Sequence, residues 1–80
     1  MSELYVLNVP EFWPVIDEGA RCADRHRVVG NYVEFSCDGP LIINRKKAGA
    51  RPAVWFSSIG ALRHGKVIQF DSDLLHIVPE

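Results

Sequence analysis

The residues able to do chemistry here are three histidines (His26, His64, His76), two cysteines (Cys22, Cys37), adjacent serines (Ser57, Ser58), two aspartates (Asp71, Asp73) and a run of bases. A zinc site legible in sequence carries closely spaced ligand pairs, because each pair fixes two corners of the tetrahedron. Only Cys22 and His26 are so spaced, and no second pair answers them, so no bound metal and no cofactor are expected. Nucleophilic catalysis at Ser57, Ser58 or either cysteine needs an activating base. No Gly-x-Ser-x-Gly elbow surrounds the serines, and no Ser-x-x-Lys starts at either of them. Asp71 and Asp73 flank Ser72 between two apolar runs, which is ordinary turn chemistry. No phosphate-cradling glycine pattern can be written through the glycines. The chain is therefore not expected to be an enzyme.

The run Arg45-Lys46-Lys47-Ala48-Gly49-Ala50-Arg51 holds four bases and no acid, and Arg63 and Lys66 repeat the theme. A Gly- and Pro-bearing loop of this kind can dock on an acidic patch of a protein or follow a phosphate backbone. Arg45, Lys46, Lys47, Arg51, Arg63 and Lys66 are thus the expected partner-binding residues. Trp55 and Phe56 follow closely, and aromatics beside bases suit stacking on single-stranded bases.

Charge is segregated along the chain. Residues 1–20 carry four acids and no base; residues 21–66 hold all nine Lys and Arg against three acids; residues 67–80 carry three acids and no base. The net charge of −1 excludes a bulk pull toward nucleic acid but leaves room for a local basic surface. With 48% hydrophobic and 24% charged residues, the 80-residue chain reads as one small globular domain, 1–80. Two cysteines are too few for a disulfide scaffold, and thiols packed in a reducing compartment are the plain reading, although spacing alone leaves a bridge open. Met1–Leu7 lacks the basic start and long apolar run of a secretory signal, and no stretch is long enough to span a membrane, so a cytoplasmic protein is expected.

The elements that must position these residues follow from turn formers recurring at about ten-residue spacing, the rhythm of short strands. Leu4–Val9 reads as an inner strand stopped by Pro10. Pro14–Arg25 is the one helix, with Phe12, Val15, Ile16, Ala20 and Ala23 facing the core at helical spacing. Gly30-Asn31 and Asp38-Gly39 read as tight turns that make strands 27–29, 32–37 and 41–44 a meander. Arg45–Pro52 is a basic loop, Ala53–Ile59 a strand, Gly60–Gly65 a connector and Lys66–Phe70 a strand. Leu74–Val78 is a last strand, or a short helix capped from Asp71 or Ser72. The expected fold is α+β and mainly β: a small antiparallel sheet or partly open barrel with one helix in the N-terminal half. Its expected core is Val29, Val33, Phe35, Ile42, Val54, Phe56, Ile68 and Phe70.

Lys66–Leu75 resembles the wing-then-helix tail of excisionase-type or winged-helix DNA-binding proteins, over ten residues. The helix-turn-helix of that family has no counterpart in the strand-like sequence before it, and no residue role is carried over. The functional expectation is a non-enzymatic protein-binding module, a small inhibitor or accessory protein that occludes its partner. Phage and mobile-element inhibitors of host defence, such as anti-CRISPR proteins, form a class of this kind. The alternative is a small nucleic-acid-binding accessory protein using the 45–51 loop.

Overall fold

The computed structural model describes the backbone of residues 1–80 and every side chain except that of Ala61. The order is β1 (Ser2–Leu7), a 3-10 turn (Pro10–Phe12), α1 (Trp13–Cys22), β2 (Arg25–Val29), β3 (Tyr32–Cys37), β4 (Leu41–Asn44), α2 (Arg45–Ala48), α3 (Pro52–Ser58), β5 (Ile59–His64), β6 (Lys66–Phe70) and β7 (Leu74–Val78). The fold is α+β and mainly β, with antiparallel sheets and one α-helix in the N-terminal half. Strands form two sheets, ordered β2-β3-β1-β5 and β4-β7-β6. No described helix is long and apolar enough to cross a membrane.

The hairpin at Gly30-Asn31 forms as its sequence dictates. Gly30 has φ of +59°, a value that side chains disfavour, and Val28 stands opposite Val33 across the turn. β1 is an inner strand, flanked by β3 and β5. The Asp38-Gly39 turn, however, does not close a meander. β3 already has β2 on one edge and β1 on the other, so β4 finds no free edge there and pairs with β7 instead. The chain crosses from one sheet to the other through Gly39, whose carbonyl accepts the Ser2 hydroxyl at 3.3 Å.

Four further expectations are corrected. α1 stops at Cys22 because Arg25, His26 and Arg27 are needed in the β2–β3 ladder. Residues 45–48 are helical: Asn44 caps the turn by accepting the Lys47 N–H at 3.1 Å, and Gly49 closes it at φ of +76°. Residues 53–58 belong to α3, not a strand. Pro52 sits in its first turn, and Trp55 and Ser58, one turn apart, are both buried. The connector 60–64 is strand β5. Leu74–Val78 is the strand of the two readings its sequence allowed.

One core serves both sheets. Leu4, Val6, Val33, Phe35 and Cys37 contribute from the first; Leu41, Ile43, Leu75 and Ile77 contribute from the second; Phe12, Val15 and Trp55 close it from the helical segments. Phe12, Val15, Ile16, Ala20 and Ala23 all pack on it as their spacing predicts. Trp55 is fully buried, and its indole N–H donates to the Asp71 carbonyl at 2.6 Å. Of the expected core, Val33 and Phe35 are buried and Val54 packs half-buried against it. Val29, Ile42, Phe56, Ile68 and Phe70 are instead exposed. Val29 lies on edge strand β2, exposed along its whole length, and Ile42 points away from the face shared by Leu41 and Ile43. Phe56 sits on the outer side of α3, and Ile68 and Phe70 lie on edge strand β6. Phe35→Ala should cost about 3–5 kcal/mol in denaturant unfolding, and Ile42→Ala under about 1 kcal/mol.

Candidate protein-binding face

Strand alternation gives the four-stranded sheet two unlike faces. Leu4, Val6, Val33 and Phe35 point into the core, and the helices lie on that side: Gly19 of α1 meets the Phe35 ring, and Trp55 of α3 is in the core. The opposite face has no covering helix. Its register sets Arg25 beside Ser36, Arg27 beside Glu34 and Val29 beside Tyr32, with Glu3, Tyr5 and Leu7 on the far side of β3.

Glu34 organises this face. Only 6% exposed, its carboxylate accepts a short hydrogen bond from the Tyr5 hydroxyl and a 2.9 Å bond from Arg27 Nε. The Tyr5 hydroxyl and the Arg27 guanidinium hold the Glu34 carboxyl below its ordinary pKa, against the opposing effect of desolvation. Arg63 reaches in from β5, donating to the Tyr5 oxygen at 3.4 Å and standing 3.9 Å from the Glu3 carboxylate. Arg25 pairs with Asp38 at 3.1 Å. Tyr5 and Tyr32 meet edge to face, with ring centroids 6.4 Å apart. A shallow groove lined by Arg25, His26, Arg27, Glu34 and Ser36 runs between β2 and β3. The result is a tyrosine pair tied through Glu34 to Arg27 and contacted by Arg63, with Arg25 paired to Asp38 farther along β2.

The six bases expected to bind a partner are dispersed. Arg45 is a structural tie: its guanidinium donates to the Ser72 and Ala50 carbonyls, the latter at 3.0 Å. Lys46 and Lys47 are exposed on α2, and neither is ion-paired among the described residues. Arg51 caps α3 on the rim of a second groove with Pro10, Glu11 and Val54. Arg63 belongs to the tyrosine–arginine face. Lys66 stands opposite Val78, whereas Asn44, the residue before Arg45, stands opposite Leu74. About four residues of strand, on the order of 13 Å, therefore separate those two ends of the sheet. The sequence reading passed over Tyr5, Tyr32, Arg25, Arg27 and Glu34 as a group. Alternation within Tyr32-Val-Glu-Phe places Glu34 beside Tyr32, but joining them to Tyr5 and Arg63 requires the strand order.

Among the described residues no three His, Cys, Asp or Glu side chains converge as a metal site would require. Ser58 donates to the Trp55 carbonyl at 2.9 Å within its helix. Burial, with Glu18 beside it, pushes the Cys22 thiol up, away from the reactive thiolate. Asp71 accepts the N–H groups of Asp73 and Leu74 at 2.9 and 3.0 Å, the turn its sequence predicts. No protein-family model matches the chain, and a search of curated proteins finds no match.

Because the folded pKa of Glu34 is depressed, its contribution to stability is present above the ordinary glutamate value and is lost as pH falls through the lowered one. Thermal melts across the acid range should show Glu34→Gln losing part of the parent's acid destabilisation below pH of about 4.5. Equal slopes for parent and variant would remove Glu34 from that role.

Proposed function

We propose that the chain is a non-enzymatic protein-binding module that acts by covering part of its partner, as a small inhibitor or accessory subunit does. The observation that carries this reading is the helix-free outer face of the four-stranded sheet, where Tyr5, Tyr32, Glu34, Arg27 and Arg63 are linked in one cluster. Tyrosine and arginine are the residues most enriched at interface hot spots, since each offers a large apolar area together with directional donors. Ordering them before contact lowers the side-chain entropy that binding would otherwise cost.

The charge pattern favours a protein over a nucleic acid. Arg25, Arg27 and Arg63 each stand beside an internal acid, so the face presents no unmatched cationic stripe for phosphates. Lys46 and Lys47 on α2 then serve to steer approach rather than to form the seat, as rim charges do.

The test is capture by the tagged chain from its native host, comparing wild type with Tyr32→Ala and with the Lys46→Ala/Lys47→Ala pair. Tyr32→Ala should weaken binding of the captured protein at least about tenfold, the scale of a hot-spot tyrosine. The lysine pair should slow association and leave dissociation nearly unchanged. A captured species that is nucleic acid, with log affinity falling linearly in log salt, would replace this reading with the nucleic-acid one.

A further inference from the structure

The fold brings Cys22 and Cys37 together across fifteen positions of chain. Cys22 is the last residue of α1 and Cys37 the last of β3. Ala23 and Asp24 lead straight from the helix into β2, which enters its ladder with Arg25 opposite Ser36, the residue before Cys37. On the other side of Cys37, the Asp38 N–H donates to the Asp24 carboxylate at 2.9 Å. The Cys37 thiol faces the Cys22 carbonyl at 3.9 Å, and both residues pack on the same core. The Cys37 sulfur therefore lies within about 7 Å of the Cys22 Cα. Access differs between the two. Cys37 is buried, whereas Cys22 is partly exposed and turns its thiol to the Glu18 carboxylate at 3.7 Å.

We infer that Cys22 and Cys37 form an oxidation site, joined as a disulfide by exchange with a low-molecular-weight disulfide. The site is independent of the tyrosine–arginine reading. The Cys22 thiolate, the accessible sulfur, attacks the small disulfide; a mixed disulfide forms on Cys22 and one small thiolate leaves. Cys22 then swings off Glu18, and the Cys37 thiolate attacks the Cys22 sulfur, closing the bridge and releasing the second small thiolate. The two cysteine thiols give up two electrons and two protons, and the small disulfide becomes two thiols. The swing falls at the end of α1, where no further helical turn holds the side chain. Burial first, and the Glu18 carboxylate next, push the Cys22 thiol up, so exchange is slow, as suits a structural tie rather than a redox catalyst. The bridge closes the open end of the β2–β3 hairpin, whose other end is held by the Gly30-Asn31 turn. Because β2 pairs on one side only, the bridge fixes the strand that carries Arg25 and Arg27.

The test treats the folded, reduced chain with oxidised glutathione at mildly alkaline pH and reads intact mass and peptide maps. Wild type should lose the mass of two hydrogen atoms, with Cys22 and Cys37 cross-linked and no glutathione retained. Amide exchange along β2 should slow on oxidation, and a reducing agent should restore both mass and exchange. Cys37→Ser should stop at a single glutathione adduct on Cys22. Cys22→Ser, left with the buried thiol, should react far more slowly. A wild type that stays reduced, keeps glutathione on Cys22, links Cys22 to a second chain or bridges without slowing β2 exchange would overturn the assignment. So would a Cys22→Ser variant modified as fast as Cys37→Ser, because access would then not order the two steps.

Discussion

The contact on which the architecture turns is the ring of Phe35 against Gly19. A methyl group at position 19 would sit 3.0 Å from that ring, tighter than nearly all packed carbon contacts, so α1 or the ring would have to give by a few tenths of an ångström to accept it. A glycine inside a helix costs about 1 kcal/mol relative to alanine, and here close packing offsets it. With α1 seated there, its Val15 reaches the core, and the helix also lies along β4 of the second sheet. Two sheets that share no strand pairing are thereby brought onto one set of buried side chains.

That arrangement decides what remains at the surface. Placing both sheets and all three helices around one interior leaves no helix over the outer side of the first sheet. The outer side of the first sheet is therefore built from polar groups that satisfy one another, with Glu34 taking donors from Tyr5 and Arg27. No buried side-chain nitrogen or oxygen lacks a partner among the described residues. An uncovered face is thus ordered without a second layer, at the cost of fixing tyrosines and arginines that would otherwise be mobile.

What the sequence reveals and conceals follows from the range of each signal. Gly30-Asn31 and Asp71-Ser72-Asp73 specify their turns through two or three neighbouring residues, and both are legible. The helical spacing from Phe12 to Ala23 is likewise local. Ala53–Ser58 misleads because valine and aromatic residues suggest a strand, whereas Pro52 in the first turn and the one-turn spacing of Trp55 and Ser58 make it a helix. In Leu41-Ile42-Ile43 three apolar neighbours leave the buried face undetermined, and only pairing with Leu75 and Ile77 of β7 resolves it. The tyrosine–arginine cluster draws on β1, β2, β3 and β5, so its residues lie up to 58 positions apart and no window along the chain contains it.

The segregation of charge along the sequence is undone in part by the same topology. Antiparallel pairing sets Arg27 of the basic middle beside Glu34, and Arg63 beside Glu3 of the acidic start, while Arg21 folds back onto Glu18 one turn earlier. Each such exposed pair adds little stability, since water screens it and two side chains must be held in place. The pairing is selective: Arg21, Arg25, Arg27 and Arg63 have acids beside them, whereas Arg45, Lys46, Lys47, Arg51 and Lys66 are in no ion pair among the described residues. The outer face of the first sheet is thus marked by matched donors and rings, and the unmatched positive charge stands on other elements.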